Sequence, residues 1–317
     1  MRRRTLSVLP LLTLLPHAAR ADSFGAFVAG VRAQARGEGI SEATLDAAFA
    51  GVRPNQTVID KDHHQAEFTL TWPEYRERIV SDKRLVSGRV AVRRQAGLLT
   101  QVSARYGVDA GVIGGIWGIE SNFGDTRGTY NVVESLATLA WEGRRAAFFR
   151  AELMAALKIL QRGDITPARM TSSWAGAMGQ PQFMPTSFVR MAVDWDGDGR
   201  RDIWDDSGDV FASIANYLAV SGWRAGEPWG QPVRVPAGFA SGGRDDRRTL
   251  AEWTRAGVRR PDATAFGRPD AVGAVIVPDG GTEAFMVYAN FGAIRRYNPS
   301  DFYALAVGLL GDGIRAG

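Results

Sequence analysis

Cysteine is absent from all 317 residues. That excludes disulfides, thiol nucleophiles and thiolate metal sites, and any lipid carried on an N-terminal cysteine. Histidine is nearly absent too, with three in the chain. Two of them, His63 and His64, are adjacent, so on a helix they point in different directions and read as surface residues rather than a metal pair. There is no low-complexity tract, no detectable repeat and no apolar run suited to spanning a membrane. What remains, 45% apolar and 23% charged, is a globular balance for one large domain or a few small units around a main core.

Only the N-terminus has targeting character. "MRRRTLSVLPLLTLLPHAARA" has a basic start, leucines interrupted by Pro10 and Pro16, and Ala19-Arg20-Ala21 ahead of Asp22. Residues 1–21 read as an export signal, which places the mature chain in the periplasm without a membrane anchor. Its removal takes four arginines and no acid, so the formal charge falls from +4 to zero. The pI of 9.6 is then partly a property of the signal, and a nucleic-acid partner loses its main support.

Residues 22–106 read as a helical region, with Ser41 as an N-cap and one long periodic helix from Lys83 to Tyr106 ended by Gly107. Residues 107–230 hold further helices and the unusual motifs. From 231 to 288 short β-prone runs take over ("QPVRVP", "AVGAVIVP", "EAFMVY"), the last two flanking a "DGG" turn. Helical pattern returns over 289–317. The fold expected is mainly α with a small β insertion.

The chemistry centres on "GGIWGIESNFGDT". Asp109 can cap a helix on which Ile113, Ile116, Trp117 and Glu120 share one stripe, so a carboxylate continues an apolar face. Gly111, Gly114, Gly115 and Gly118 form a second stripe, costing about 1 kcal/mol each against alanine, with close approach of another backbone or a ligand as the return. Desolvation raises the pKa of such a glutamate and keeps it able to donate a proton. The alternatives are an ion pair with Arg127 or a cap on the next segment. Trp117, Phe123, Tyr130 and Trp141, with Asn122 and Asn131, offer apolar faces and amides suited to sugars, although aromatics at helical spacing are also core. Arg144, Arg145 and Arg150 read as a solvated helix face.

"SSWAGAMGQPQFMPTSF" spends Gly, Gln and Pro too densely for a core helix and reads as a shaped loop lining a cleft. Taken with "GIWGIESNFG" and "RRYNPSDFYALAV", it resembles the lytic murein transglycosylases of the membrane-bound B type. The resemblance extends to "QAEFTLTWPEYRERIVSDKRLVSGR" and so covers most of the mature chain. It implies a lysozyme-like catalytic core, with Glu120 as the single catalytic acid and with Ser173, Gln182, Tyr297 and Asn298 lining the glycan cleft. It further implies cleavage of the β-1,4 MurNAc–GlcNAc bond of peptidoglycan glycan strands without water, leaving 1,6-anhydro ends, and no cofactor required for that chemistry. One carboxyl can give a proton to the leaving oxygen and then take one from O6. A muramidase hydrolysing the same bond needs a second acid about 5 to 9.5 Å away, and Asp125 and Glu134 are the nearby candidates. An inactive peptidoglycan-binding protein is the alternative from another class. The sequence names no protein partner.

"DWDGDGRRDIWDD" begins like an EF-hand loop, with Asp194, Asp196 and Asp198 at alternate positions and Gly199 next. The twelfth position is Asp205 rather than Glu. The resemblance supplies Asp209 as the closing acid and the Arg200 backbone carbonyl as a further ligand of a structural calcium. Otherwise the stretch is an acidic turn before a helix capped by Asp206 or Ser207.

Overall fold

The structure, a computed structural model, describes residues 17–64 and 70–315, with side chains from Ser23 onward. The signal reading therefore falls mostly outside the described residues; its expected end lies within the first described helix, α1 (His17–Gly37).

Two helical layers meet side by side. The first joins α1, α2 (Glu42–Phe49) and α3 (Gln56–His63) to α8 (Val132–Glu142), α9 (Ala146–Arg162) and α10 (Pro185–Met191) around one apolar core. Ser41 caps α2, accepting from the Thr44 amide, as its sequence position implies. The second layer joins α4 (Trp72–Ile79), α5 (Asp82–Arg94), α6 (Ala96–Tyr106) and α7 (Ala110–Ser121) to α11 (Ser207–Val220), α13 (Ala289–Tyr297) and α14 (Asp301–Arg315). A two-residue antiparallel pair, β1 (Tyr130–Asn131) with β2 (Thr171–Ser172), leads into α8 on the edge of the first core.

The insertion is a four-stranded antiparallel sheet in the order β3 (Gly230–Val233), β6 (Ala284–Val287), β5 (Val272–Ile276), β4 (Arg247–Thr249). It has its own small core around Trp253, on α12 (Leu250–Arg255), a helix the sequence reading lacks. The connection between β5 and β6 runs through the expected turn, with Asp279 at a positive φ.

Two expectations need correction, and one alternative falls away. The helix expected from Lys83 to Tyr106 is broken at Gln95, because α5 packs on α14 while α6 packs on α11. Arg144 and Arg145 are not simply solvated: both reach the buried Asp62, Arg145 at 2.6 Å. Glu120 does not pair with Arg127, which bonds to Asp205.

Two glycines of the α7 stripe, Gly111 and Gly115, meet α14 backbone to backbone. A Cβ on Gly115 would stand 2.5 Å from the Val307 carbonyl oxygen, and one on Gly111 would stand 2.8 Å from that of Gly311. Gly115→Ala should therefore force the helices apart and cost about 1–3 kcal/mol by overpacking. Gly30→Ala, on α1 with open space around it, should be neutral or stabilising by up to about 1 kcal/mol. Urea unfolding of the two variants checks the contrast.

Candidate active site

Asp109 caps α7 by accepting from the amides of Gly111 and Val112, and the helix delivers Glu120 one residue before its end. Beyond it the chain turns through three consecutive left-handed residues, Asn122, Phe123 and Gly124. A bulky residue at positive φ is strained, yet Phe123 is buried. Its ring lies where Cβ atoms on Gly88 and Gly118 would stand, with its centroid 5.4 Å from that of Trp117. The glycines make room for the ring, and the ring holds the turn.

Glu120 is half-buried as a residue while its carboxyl is enclosed by protein. Burial raises its pKa to about 7, against a hydrogen bond from Tyr303 that pulls it down. That bond runs from the Tyr303 hydroxyl to Oε1 at 2.6 Å. Among the described residues no charged neighbour contributes. The two sequence candidates for a second acid are engaged elsewhere: Asp125 accepts from Asn122, and Glu134 from Asn55. The acid therefore stands alone, about half protonated near neutrality.

Tyr303 starts an aromatic wall. Its ring lies parallel to that of Tyr297 at 6.5 Å, and Tyr297 in turn touches Tyr217 at 4.7 Å and Phe183 at 5.7 Å. Tyr297 donates to the Pro181 carbonyl at 2.6 Å, which ties the wall to the Gly- and Gln-rich loop. In that loop Gln182 has φ 52 and donates to the Gly179 carbonyl. Ser173 closes the adjoining turn by accepting from the Ala177 amide, and Asn298 ends α13 and accepts from Ser300. The structure thus brings Tyr297 close enough to Glu120 to feel its charge and ties it to the loop that carries Gln182, while Ser173 and Asn298 close local turns.

Two members escaped the sequence reading. Tyr303 holds the acid directly, and Tyr75 is near enough for the Glu120 charge to raise its pKa after burial does. The only sequence signal was a phenol within the apolar run of α14.

The aspartate loop forms a separate cluster. Carboxylate oxygens of Asp194, Asp196 and Asp209 lie within 4.8 Å of one another. Asp198 is outside that group and accepts from the Arg200 amide. Asp205 turns away to Arg127 and Arg169, and Asp206 is the N-cap of α11. Asp209, buried, accepts from the amides of Trp195 at 2.7 Å and Asp202 at 2.6 Å. Burial pushes its pKa up to about 6 against those amides, and Asp206 and Asp194 add repulsion.

The pattern of the Transglycosylase SLT domain matches residues 23–312. The chain is 32% identical over 251 residues to membrane-bound lytic murein transglycosylase B of Escherichia coli strain K12, covering 77% of this chain and 67% of that protein. SltB3 of Pseudomonas aeruginosa, solved in complex with NAG-NAM-pentapeptide, is 47% identical, with a TM-score of 0.89 over 93% of this chain and 80% of that one. The E. coli lytic transglycosylase Slt35, solved in complex with calcium, is 27% identical, with a TM-score of 0.77 over 95% of each chain.

Because the Tyr303 hydroxyl favours the charged carboxylate, Tyr303→Phe should move the Glu120 midpoint above 7. Carboxyl-carbon NMR of labelled glutamate reads both midpoints. The sign for stability follows from the same shift. With a folded pKa above the unfolded one, stability present at low pH is lost as pH rises through about 7. Glu120→Gln should thus stabilise the fold at pH above that value and not at pH near 4.

Proposed function

The chain belongs to the Transglycosylase SLT domain family, and from that membership we propose that Glu120 is the single acid and base of its reaction. The protein is a lytic transglycosylase that cleaves peptidoglycan. What supports the residue assignment is one observation above all: a desolvated carboxyl with a pKa of about 7 and no second carboxylate acting on it.

Oε1 is held by Tyr303, which leaves Oε2 to give its proton to the oxygen between MurNAc and GlcNAc. Desolvation keeps that proton in place beforehand. Once it leaves, the Tyr303 hydrogen bond stabilises the carboxylate that remains. The same oxygen then takes the proton of the muramyl O6 as that oxygen closes on C1, giving the 1,6-anhydro end. Tyr297, Gln182, Ser173 and Asn298 line the cleft and hold the strand. Peptidoglycan as substrate places the enzyme in the periplasm, exported by its N-terminal segment.

The donor set of the aspartate loop fits a hard cation, because three carboxylates converge and, among the described residues, none of them forms an ion pair. We assign it a structural calcium held by Asp194, Asp196 and Asp209, with the Arg200 carbonyl completing the loop. Asp198 supports it from outside.

Glu120→Gln should retain the fold and lose the anhydro-muramyl products that mass spectrometry detects in digests by the wild type. Products with reducing ends would instead identify a hydrolase. Calcium at a hundredfold excess over its Kd should add about 2.7 kcal/mol of stability and raise Tm by about 5 °C. Asp196→Ala should remove that rise, and a wild-type melt indifferent to calcium would reduce the loop to an acidic turn.

A further inference from the structure

The sheet unit carries a second concave site that neither Glu120 nor the aspartate loop uses. A cavity of about 450 Å³ opens where the α11–β3 connection, β4 and the corner at Tyr288 and Ala289 meet. Arg224, Arg247, Arg260 and Arg268 line it, against one acid, Glu227. Gathering like charges around one cavity opposes folding, so the arrangement calls for a ligand. Neighbouring arginines on the same unit are neutralised: Arg248 lies 2.7 Å from Asp246 and Arg244 lies 3.1 Å from Asp301. Those of the cavity are paired at longer range or not at all. Arg224 reaches Glu227 only at 3.8 Å, and Arg260 reaches Asp262 only at 3.7 Å. Among the described residues Arg247 and Arg268 form no ion pair; Arg247 makes one long bond, 3.4 Å, to the Val272 carbonyl.

The floor between the guanidiniums is apolar and buried, with Leu250 and Phe266 beside Tyr288. The Tyr288 hydroxyl accepts from Gln231 at 2.6 Å, which leaves its own proton to donate. Forked cations around an apolar floor, with one neutral donor, match a carboxylate next to a small hydrocarbon group.

We propose that this cavity binds the carboxylate end of a peptidoglycan peptide stem, so that a stemmed strand is held at two places while Glu120 acts on its glycan. The proposal rests on the reading of peptidoglycan as substrate. The reach is suitable: α13 leads from Ala289 at the cavity to Tyr297 on the aromatic wall, roughly 13 Å along its axis. A five-residue stem extends up to roughly 17 Å.

Calorimetric titration of the full mature chain with a free pentapeptide stem, which carries no sugar, tests the cavity apart from the glycosidic reaction. Binding should weaken about tenfold or more in Arg247→Gln with Arg268→Gln. The paired Lys variants, which keep the charge and lose the fork, should fall between, and they preserve the test if the Gln pair fails to fold. Equal affinity in wild type and variants, or no binding by the wild type, would overturn the proposal. Inorganic phosphate that displaces the stem at equal concentration would reassign the cavity to a phosphate-bearing ligand and overturn it too. The anhydro-product assay of the wild type judges the peptidoglycan reading separately.

Discussion

The contact on which the site depends is the bare-backbone seam between α7 and α14. The helices run antiparallel, with Gly111 against Gly311 and Gly115 against Val307. One more four-residue step along each brings Ile119 and Glu120 opposite Tyr303, where the 2.6 Å hydrogen bond forms. The other end is clasped by Arg315, 2.5 Å from the same Asp109 that caps α7. Side chains at the glycine positions would separate the axes, and the tyrosine would no longer reach the acid. The helix propensity lost at Gly111 and Gly115 is the cost of bringing Tyr303 within reach of the acid.

Burial and hydrogen bonding act on that donor in opposite directions. Burial alone would leave a carboxyl unwilling to ionise, and a hydrogen bond alone would leave it ionised at neutral pH. Their balance near 7 suits a group that must lose a proton and regain one in a single turnover. Placing a second carboxylate nearby would upset the balance, since a like charge favours the protonated form. The solitary acid and a reaction that needs no activated water are consistent with each other on electrostatic grounds.

The sequence discloses what depends on local pattern. The Asp109 cap, the glycine stripe and Glu120 at the end of an apolar face all follow from spacing within one helix, and each is found where expected. Tyr303 is different, because its role arises from a partner 183 residues away, and within α14 it resembles any core aromatic. The break at Gln95 likewise has no breaker residue; it follows from α5 and α6 serving different neighbours. Asp198 satisfies the loop pattern as well as Asp196 does. Both accept from a backbone amide two residues on, and only the path of the backbone brings one of them to Asp209 and not the other.

The aspartate loop and the acid are mechanically linked and electrostatically separate. Gln180, buried, accepts from the Trp117 indole at 2.7 Å and donates to the Trp204 carbonyl at 2.9 Å, and its own amide reaches the Ile203 carbonyl. The stretch after the loop is thereby fastened to α7 one turn before Glu120. Pro181, the next residue, accepts from Tyr297, so the same fastening sets the aromatic wall. A buried amide with donor and acceptor both engaged tolerates one arrangement of its neighbours. Asp209 holds the far side of the stretch through Asp202, yet no aspartate of the loop contributes to the shift at Glu120. Loosening the loop would therefore alter where the cleft wall stands before it altered the acid's affinity for its proton.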